Sequence, residues 1–232
     1  MILIVTATPM EMKAAFGFAG APSVSQGEFA EFEIGGHGVL LTVAGVGLVN
    51  TGIAMGRALG RSDVDGVVNL GIAGAYDVEE FPMTSTCYAW QETWPEYGLL
   101  EEDGSVDHKA TGFPLGHVND KPVWHRMKLN PVNDAEAMGL TLPETFLRAS
   151  SMSVSGVTGG ATRAGWLKIA YNADLENMEG FAAAYAAMQA GLPFLEVRTV
   201  SNLVGSRDSE DWDIKGALKA LGTAAKGLFA GA

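Results

Sequence analysis

Ile2-Leu-Ile-Val-Thr-Ala-Thr-Pro-Met-Glu11 is the stretch that sets the fold class. Ile2 to Ala7 places apolar side chains on both alternations, the pattern of a strand buried on both faces of a parallel sheet. Thr8-Pro9 turns the chain, and Glu11–Phe18 then reads as a short helix. A strand running straight into a helix is the building unit of layered α/β proteins.

The same alternation continues along the chain. Glu28–Ile34 and Val39–Val43 read as a hairpin around Gly35-Gly36, and Val49–Leu59 as a helix. Gly66–Asn69 reads as a short buried strand followed by a loop, Gly71-Ile-Ala-Gly74. Trp90 to Pro143 breaks the pattern with Trp90, Trp94, Trp124, prolines such as Pro95 and Pro114, and every histidine except His37. This segment is expected to form strands and long loops that wall a pocket. The alternation resumes with a strand at Ser151–Gly156, a helix at Ala161–Ile169, an Ala-rich helix at Glu179–Ala190, a strand at Pro193–Val200 and a closing helix at Lys215–Phe229. The reading is a three-layer α/β/α fold around a central mixed, mostly parallel twisted sheet. With no repeat and no linker in the sequence, residues 1–232 are expected to form one domain.

Composition narrows the partners. The 232 residues are 47% hydrophobic and 18% charged, enough for a large core. The 30 glycines suit many tight strand-to-helix turns. A formal net charge of −12 repels phosphate backbones, so neither nucleic acid nor an anionic membrane is an expected partner. The single cysteine, Cys87, allows no internal disulfide and is expected as a small buried side chain. The first apolar run has no basic segment before it and no cleavage pattern after it, and it is far shorter than the ~20 residues of a membrane span. A cytoplasmic location is expected. His37, His108, His117 and His125 lack the tight spacing of a zinc site, so no metal is expected.

In α/β sheets, ligands bind beyond the carboxyl ends of the strands. Three polar side chains fall at such places. Glu11 follows the first strand by one turn and Glu179 opens the Ala-rich helix. Asn202 ends the strand at Pro193–Val200. Each has an ordinary alternative reading: first-turn carboxylates favoured by the helix dipole, and an asparagine completing a turn. Together they suit cleavage of a sugar–heteroatom bond. One carboxylate can orient and deprotonate water, and another can accept hydrogen bonds from ribose hydroxyls as an oxocarbenium-like transition state develops. An amide can hold the leaving base. Gly45-Val-Gly47-Leu-Val-Asn50 lacks the third glycine of a dinucleotide fingerprint and reads as a glycine turn before a helix.

Four segments carry a family resemblance: Ile4-Val-Thr-Ala-Thr-Pro-Met-Glu11, Val68-Asn-Leu-Gly-Ile-Ala-Gly74, Glu176-Asn-Met-Glu-Gly180 and Arg198-Thr-Val-Ser-Asn202. In this order they resemble the nucleoside phosphorylase and nucleosidase superfamily. Within it the chain is similar to the methylthioadenosine nucleosidases, and most to the futalosine hydrolases of the alternative menaquinone pathway. The resemblance implies a nucleoside phosphorylase-type fold and metal-free, cofactor-free hydrolysis of a purine nucleoside. It also implies a homo-oligomer, a dimer or larger, in which a neighbouring subunit helps to complete the pocket. It gives Glu11 the attacking water, Met178 and Glu179 the ribose, and Gly74, with Ile72 and Ser201 nearby, the base and sugar. Asn202 stands where adenine-specific members carry an aspartate that protonates the purine N7.

Two departures bear on substrate. Asn202 cannot deliver a proton, but it can hydrogen-bond N7 and the O6 of a 6-oxopurine such as hypoxanthine. An amide can also turn and accept from an amino group, so aminopurines stay open. Ile72 replaces a serine often found in the Gly-rich segment, which loses one polar contact. The first turn, Ala7-Thr-Pro-Met-Glu11, has no arginine for a phosphate nucleophile and an acid in its place, which favours water over phosphate. For the benzoate-bearing tail of futalosine, Arg163 and the Trp and His side chains of the middle segment are the candidates.

Overall fold

The computed structural model describes residues 1–61 and 63–230. Its main sheet has nine strands: β1 (Ile2–Thr6), β2 (Phe29–Ile34), β3 (His37–Val43), β4 (Gly66–Ala75), β5 (Thr86–Thr93), β6 (Arg126–Lys128), β7 (Leu147–Ser153), β8 (Leu175–Asn177) and β9 (Phe194–Leu203). Six α-helices accompany them: α1 (Pro9–Phe16), α2 (Leu48–Leu59), α3 (Pro131–Ala137), α4 (Ala161–Tyr171), α5 (Gly180–Gln189) and α6 (Ile214–Leu228).

The sheet is mixed. β1 lies parallel between β3 and β4, and β4–β9, β5–β7 and β7–β8 are also parallel. β2–β3, β4–β8, β5–β9 and β5–β6 are antiparallel. Because β9 pairs with both β4 and β5, the strands β4, β8, β7, β5 and β9 close into a ring, from which β1, β3 and β2 extend as an open sheet.

Both faces of the sheet are covered, as the double alternation in Ile2–Ala7 requires. Ile2 and Ile4 point to one side with Leu41, Val68, Leu70 and Val197, under Met12 and Phe16 of α1 and Leu221 and Leu228 of α6. Leu3 and Val5 point to the other with Leu40 and Val67, under Met55 of α2 and Phe181 of α5. Ala183, Ala184 and Ala187 are fully buried there, so the small residues of α5 let the helix approach the strands closely. Cys87 is buried, and burial pushes its thiol up to about 12.

The structure corrects several boundaries. Gly71–Gly74 is no loop: β4 continues to Ala75 because β9 pairs with it throughout and β8 joins at its end. The strand expected at Ser151–Gly156 begins at Leu147 and ends at Ser153. β9 extends past Val200 through a bulge, which places Ser201 and Asn202 within the strand. α1 starts at Pro9, which puts Glu11 in its first turn, and α5 starts at Gly180, which makes Glu179 its N-cap. β5 and β8 were not anticipated. No described helix is long and apolar enough to cross a membrane.

Candidate active site

Glu11 is fixed by its own helix start. The Thr8 N–H and hydroxyl each donate to Glu11 Oε2 at 2.8 Å, while the Glu11 N–H donates back to Thr8 Oγ1 at 3.2 Å. This is a capping box, with Thr8 as N-cap and Glu11 at the third helical position. The other oxygen, Oε1, accepts the Ile72 N–H of β4 at 3.1 Å. The ordinary first-turn role is therefore real. It also holds the carboxylate rigid against β4 at the end of the central strand.

Gly71 makes that approach possible. A methyl group there would sit 2.8 Å from Glu11 Oε1 and closer still to Arg198 Nη1. Only hydrogen fits beneath those two side chains.

Glu179 is buried between the Gly45–Gly47 turn and β9. Oε1 accepts the Gly47 N–H at 3.0 Å, and Oε2 lies 3.5 Å from Arg198 Nη1. Burial raises its proton affinity above the ordinary carboxylate range, and Arg198 and the Gly47 N–H work against that rise. Gly47 holds a φ of +96°, which aims its N–H at the carboxylate. The glycine turn before α2 is thus also a site element. Asn177 caps α5 from three residues back, its Oδ1 accepting the N–H groups of Glu179 at 2.8 Å and Gly180 at 2.7 Å.

Asn202 comes from the bulge in β9. Its Nδ2 donates to the Leu203 carbonyl at 3.3 Å, and the Ser201 hydroxyl lies 2.8 Å from its Oδ1. Turning the amide over would set Oδ1 against that carbonyl, so the pair fixes Nδ2 as the donor side. Gly74 leaves room for it, since a methyl group on Gly74 would lie 2.8 Å from Asn202 Nδ2. Trp212 packs alongside through a bridge to Asn202, with its indole N–H donated to the Ser206 carbonyl at 3.2 Å.

All seven residues singled out from the sequence, Glu11, Ile72, Gly74, Met178, Glu179, Ser201 and Asn202, line one cavity of about 270 Å³. Val46, Val157, Trp212 and Leu218 supply much of its apolar wall. Glu176 is a third carboxylate in the lining, held by the Tyr76 hydroxyl at 2.8 Å and the Thr158 N–H at 2.9 Å. The lining contains no Lys, Arg or His. No cluster of three or more His, Cys, Asp or Glu arranged to hold a metal ion occurs among the described residues.

The middle segment does not wall this cavity. Trp94 and Leu115 line a neighbouring one of about 470 Å³, which shares Val46 and Met178 with the first. Arg163 is half exposed, paired with Glu96 at 3.0 Å, and lines neither.

Arg198 is a charged residue beside the site to which the sequence assigned no role. It is 1% exposed and stands directly behind Glu179. The signal was present: Glu196 and Arg198, two apart in the apolar run Phe194–Val200, must share a face of the strand.

The phosphorylase superfamily model matches residues 1–230 of the chain. The chain belongs to this superfamily. Among its relatives, the futalosine hydrolase of Streptomyces coelicolor is 35% identical over 188 residues, 78% of this chain and 74% of that protein. The futalosine hydrolase of Thermus thermophilus is 31% identical over 196 residues, 84% and 83% of the two chains. Among solved structures, the 5′-methylthioadenosine/S-adenosylhomocysteine nucleosidase of Streptococcus pneumoniae superposes with a TM-score of 0.74 at 21% identity, covering 99% of this chain and 96% of that one. That likeness shows that the superfamily fold is shared.

Proposed function

We propose that the chain hydrolyses the N-ribosidic bond of a purine nucleoside, and that the nucleoside is futalosine, released as hypoxanthine and dehypoxanthine futalosine. Glu11 holds the attacking water and takes its proton as the oxygen bonds to C1′ and the C1′–N9 bond breaks; the purine leaves as its anion and is protonated by water, and Glu11 returns its proton to solvent. Glu179 accepts the ribose 2′- and 3′-hydroxyls, and Met178 packs on the sugar. Its charge opposes the positive charge developing on the ring. Asn202 donates its remaining Nδ2 N–H to the N7/O6 edge of the leaving 6-oxopurine, the other N–H being held by the Leu203 carbonyl, with Ser201 and Gly74 beside it.

The observation that carries this reading is a cavity that gathers Glu11, Glu179 and Asn202 while holding carboxylates and no cation. A phosphate dianion placed there would meet Glu11, Glu176 and Glu179, and the nearest cation, Arg198, lies behind the wall and is shared by Glu179 and Glu196, whereas water needs only a base. The assignment of futalosine is supported by relatives of that name at 31–35% identity. No metal or organic cofactor enters the mechanism. The protein is proposed to act in the cytoplasm of an organism making menaquinone, as a homo-oligomer. Val49, which lines the neighbouring cavity, and Ile53 are 77% and 59% exposed and put apolar surface on α2, which supports association there.

Incubation with futalosine, inosine or methylthioadenosine in phosphate-free buffer tests the reading. Hypoxanthine released from futalosine, with little base from the other two, is expected. No free base from any of them would overturn it, and a requirement for phosphate would point to a phosphorylase. Asn202→Asp is expected to move preference towards the aminopurine. The ratio of kcat/KM for methylthioadenosine to that for futalosine should rise by about 10–100-fold, the effect of exchanging one buried hydrogen-bond pattern. An unchanged ratio would remove Asn202 from base recognition.

A further inference from the structure

Behind the cavity wall lies a buried polar cluster that hydrolysis does not call upon directly. Glu92 of β5 and Glu196 of β9 are both fully buried, and neither lines the cavity. A buried carboxylate costs several kcal/mol unless it is paired, so two in one place need a reason. They do share one place. A methyl group on Gly180 would lie 2.6 Å from Glu196 Oε2 and closer still to Glu92 Oε1. Asn177 Nδ2 spans the two, 2.7 Å from Glu92 Oε1 and 3.3 Å from Glu196 Oε1.

Their partners differ. Among the described residues, the hydrogen bonds to Glu92 come from neutral donors: Asn177, the Thr93 N–H at 3.1 Å and the Ser153 hydroxyl at 3.1 Å. Glu196 takes the Arg198 Nε–H at 2.9 Å and the Ser151 hydroxyl at 3.3 Å. Glu196 Oε2 is buried and has no donor among the described residues. The Glu92 carboxyl lies close by across Gly180, and a proton on it would supply a donor. Burial first, and the charge of Glu196 second, push Glu92 well above the ordinary carboxylate range.

Arg198 is gripped by three partners through two of its nitrogens. Nε goes to Glu196, and Nη2 goes to Asn69 Oδ1 and to Asn177 Oδ1 at 3.3 Å. Nη1 turns towards Glu179, 3.5 Å from its Oε2, and has no hydrogen-bond partner among the described residues. Glu196 and Glu179 thus draw on one positive charge from opposite edges of the guanidinium.

We propose that Glu196, backed by a neutral Glu92, is a positioning residue that fixes Arg198 with Nη1 alone towards Glu179 and so governs the charge on the carboxylate that grips the ribose. The inference rests on Glu179 holding the sugar, as proposed above. The charged groups acting on Glu179 are Arg198 from β9 and Glu11 from α1, with the Gly47 N–H facing it from the turn before α2.

Glu196→Gln keeps an oxygen acceptor for Arg198 Nε and removes the competing charge. Arg198 then serves Glu179 alone, and the acidic limb of kcat/KM against pH is expected to move down by about one pH unit. A merely structural role would lower stability and plateau activity and leave that limb in place. An unmoved limb in folded Glu196→Gln overturns the proposal. Infrared spectra of the wild-type protein at neutral pH provide the second arm, which stands even if that variant fails to fold. They should contain the C=O stretch of a protonated carboxylic acid that disappears in Glu92→Gln, and its absence from the wild type overturns the neutral Glu92. A wild-type protein that releases no base from any nucleoside would sink the functional reading instead, while the infrared result would still report on the acid pair.

Discussion

Glu11→Gln is expected to lower kcat by about 10²–10⁴-fold with little change in KM, because it removes the base that takes a proton from water in the transition state. The carboxylate accepts from the Thr8 N–H, the Thr8 hydroxyl and the Ile72 N–H. A glutamine has the same shape and can keep the Thr8 backbone bond, so the start of α1 survives. The loss in stability should stay near the cost of a weakened helix cap, about 1 kcal/mol. Steady-state kinetics and thermal melting of the same preparation separate the two effects. A variant that melts like the wild type and hydrolyses futalosine at the wild-type rate would take Glu11 out of the chemistry and leave it a capping residue.

Glu179→Gln is expected to lower kcat/KM by about 10²–10³-fold, the usual penalty for removing one group aimed at developing transition-state charge. It should also erase a pH dependence. Burial raises the proton affinity of Glu179, so in the wild type this carboxylate becomes protonated on acidification at a pH above the ordinary carboxylate range. Protonation turns an acceptor into a donor and cancels the charge that faces the oxocarbenium-like ring. Activity should therefore be full at neutral pH and fall as pH drops through that elevated value. Glu179→Gln should lose this limb, since an amide does not titrate. A limb that persists unchanged would assign the titration to another group.

The sequence made some of this legible because physical signals pointed one way. Ile2–Thr6 is apolar on both alternations and lies between two parallel neighbours with a covered layer on each side. The hairpin at Phe29–Val43 followed from its paired glycines. Where signals conflicted, tertiary pairing won. Gly71 and Gly74 look like turn residues, yet β9 holds both extended, with β8 on the other side of Gly74, and their missing side chains make room for Glu11, Arg198 and Asn202. β5 was hidden because its end, Gln91-Glu92-Thr93, is polar and buried, offset by a hydrogen bond from Gln91 to Ser150 of β7 and by bonds to Glu92 from Ser153 of β7 and from Asn177. β8 is three residues long, too short for any periodicity to register.

The candidate site was legible to the extent that its groups sit at element ends. Glu11, Glu179 and Asn202 could be named from their places after or before strands and helices. What holds them could not. The Gly47 N–H that meets Glu179 arrives from 132 residues away in sequence. The Arg198 grip draws on Asn69, Asn177 and Glu196 from three strands, and no local pattern announces it.

Isotope labelling of the sugar product tests the account most directly. Hydrolysis of futalosine in ¹⁸O-enriched water, with inorganic phosphate present in excess, should place the label on C1′ of every turnover and form no sugar 1-phosphate. Formation of the sugar 1-phosphate, with unlabelled oxygen at C1′, would show that the cavity around Glu11 and Glu179 admits the anion it is held to exclude.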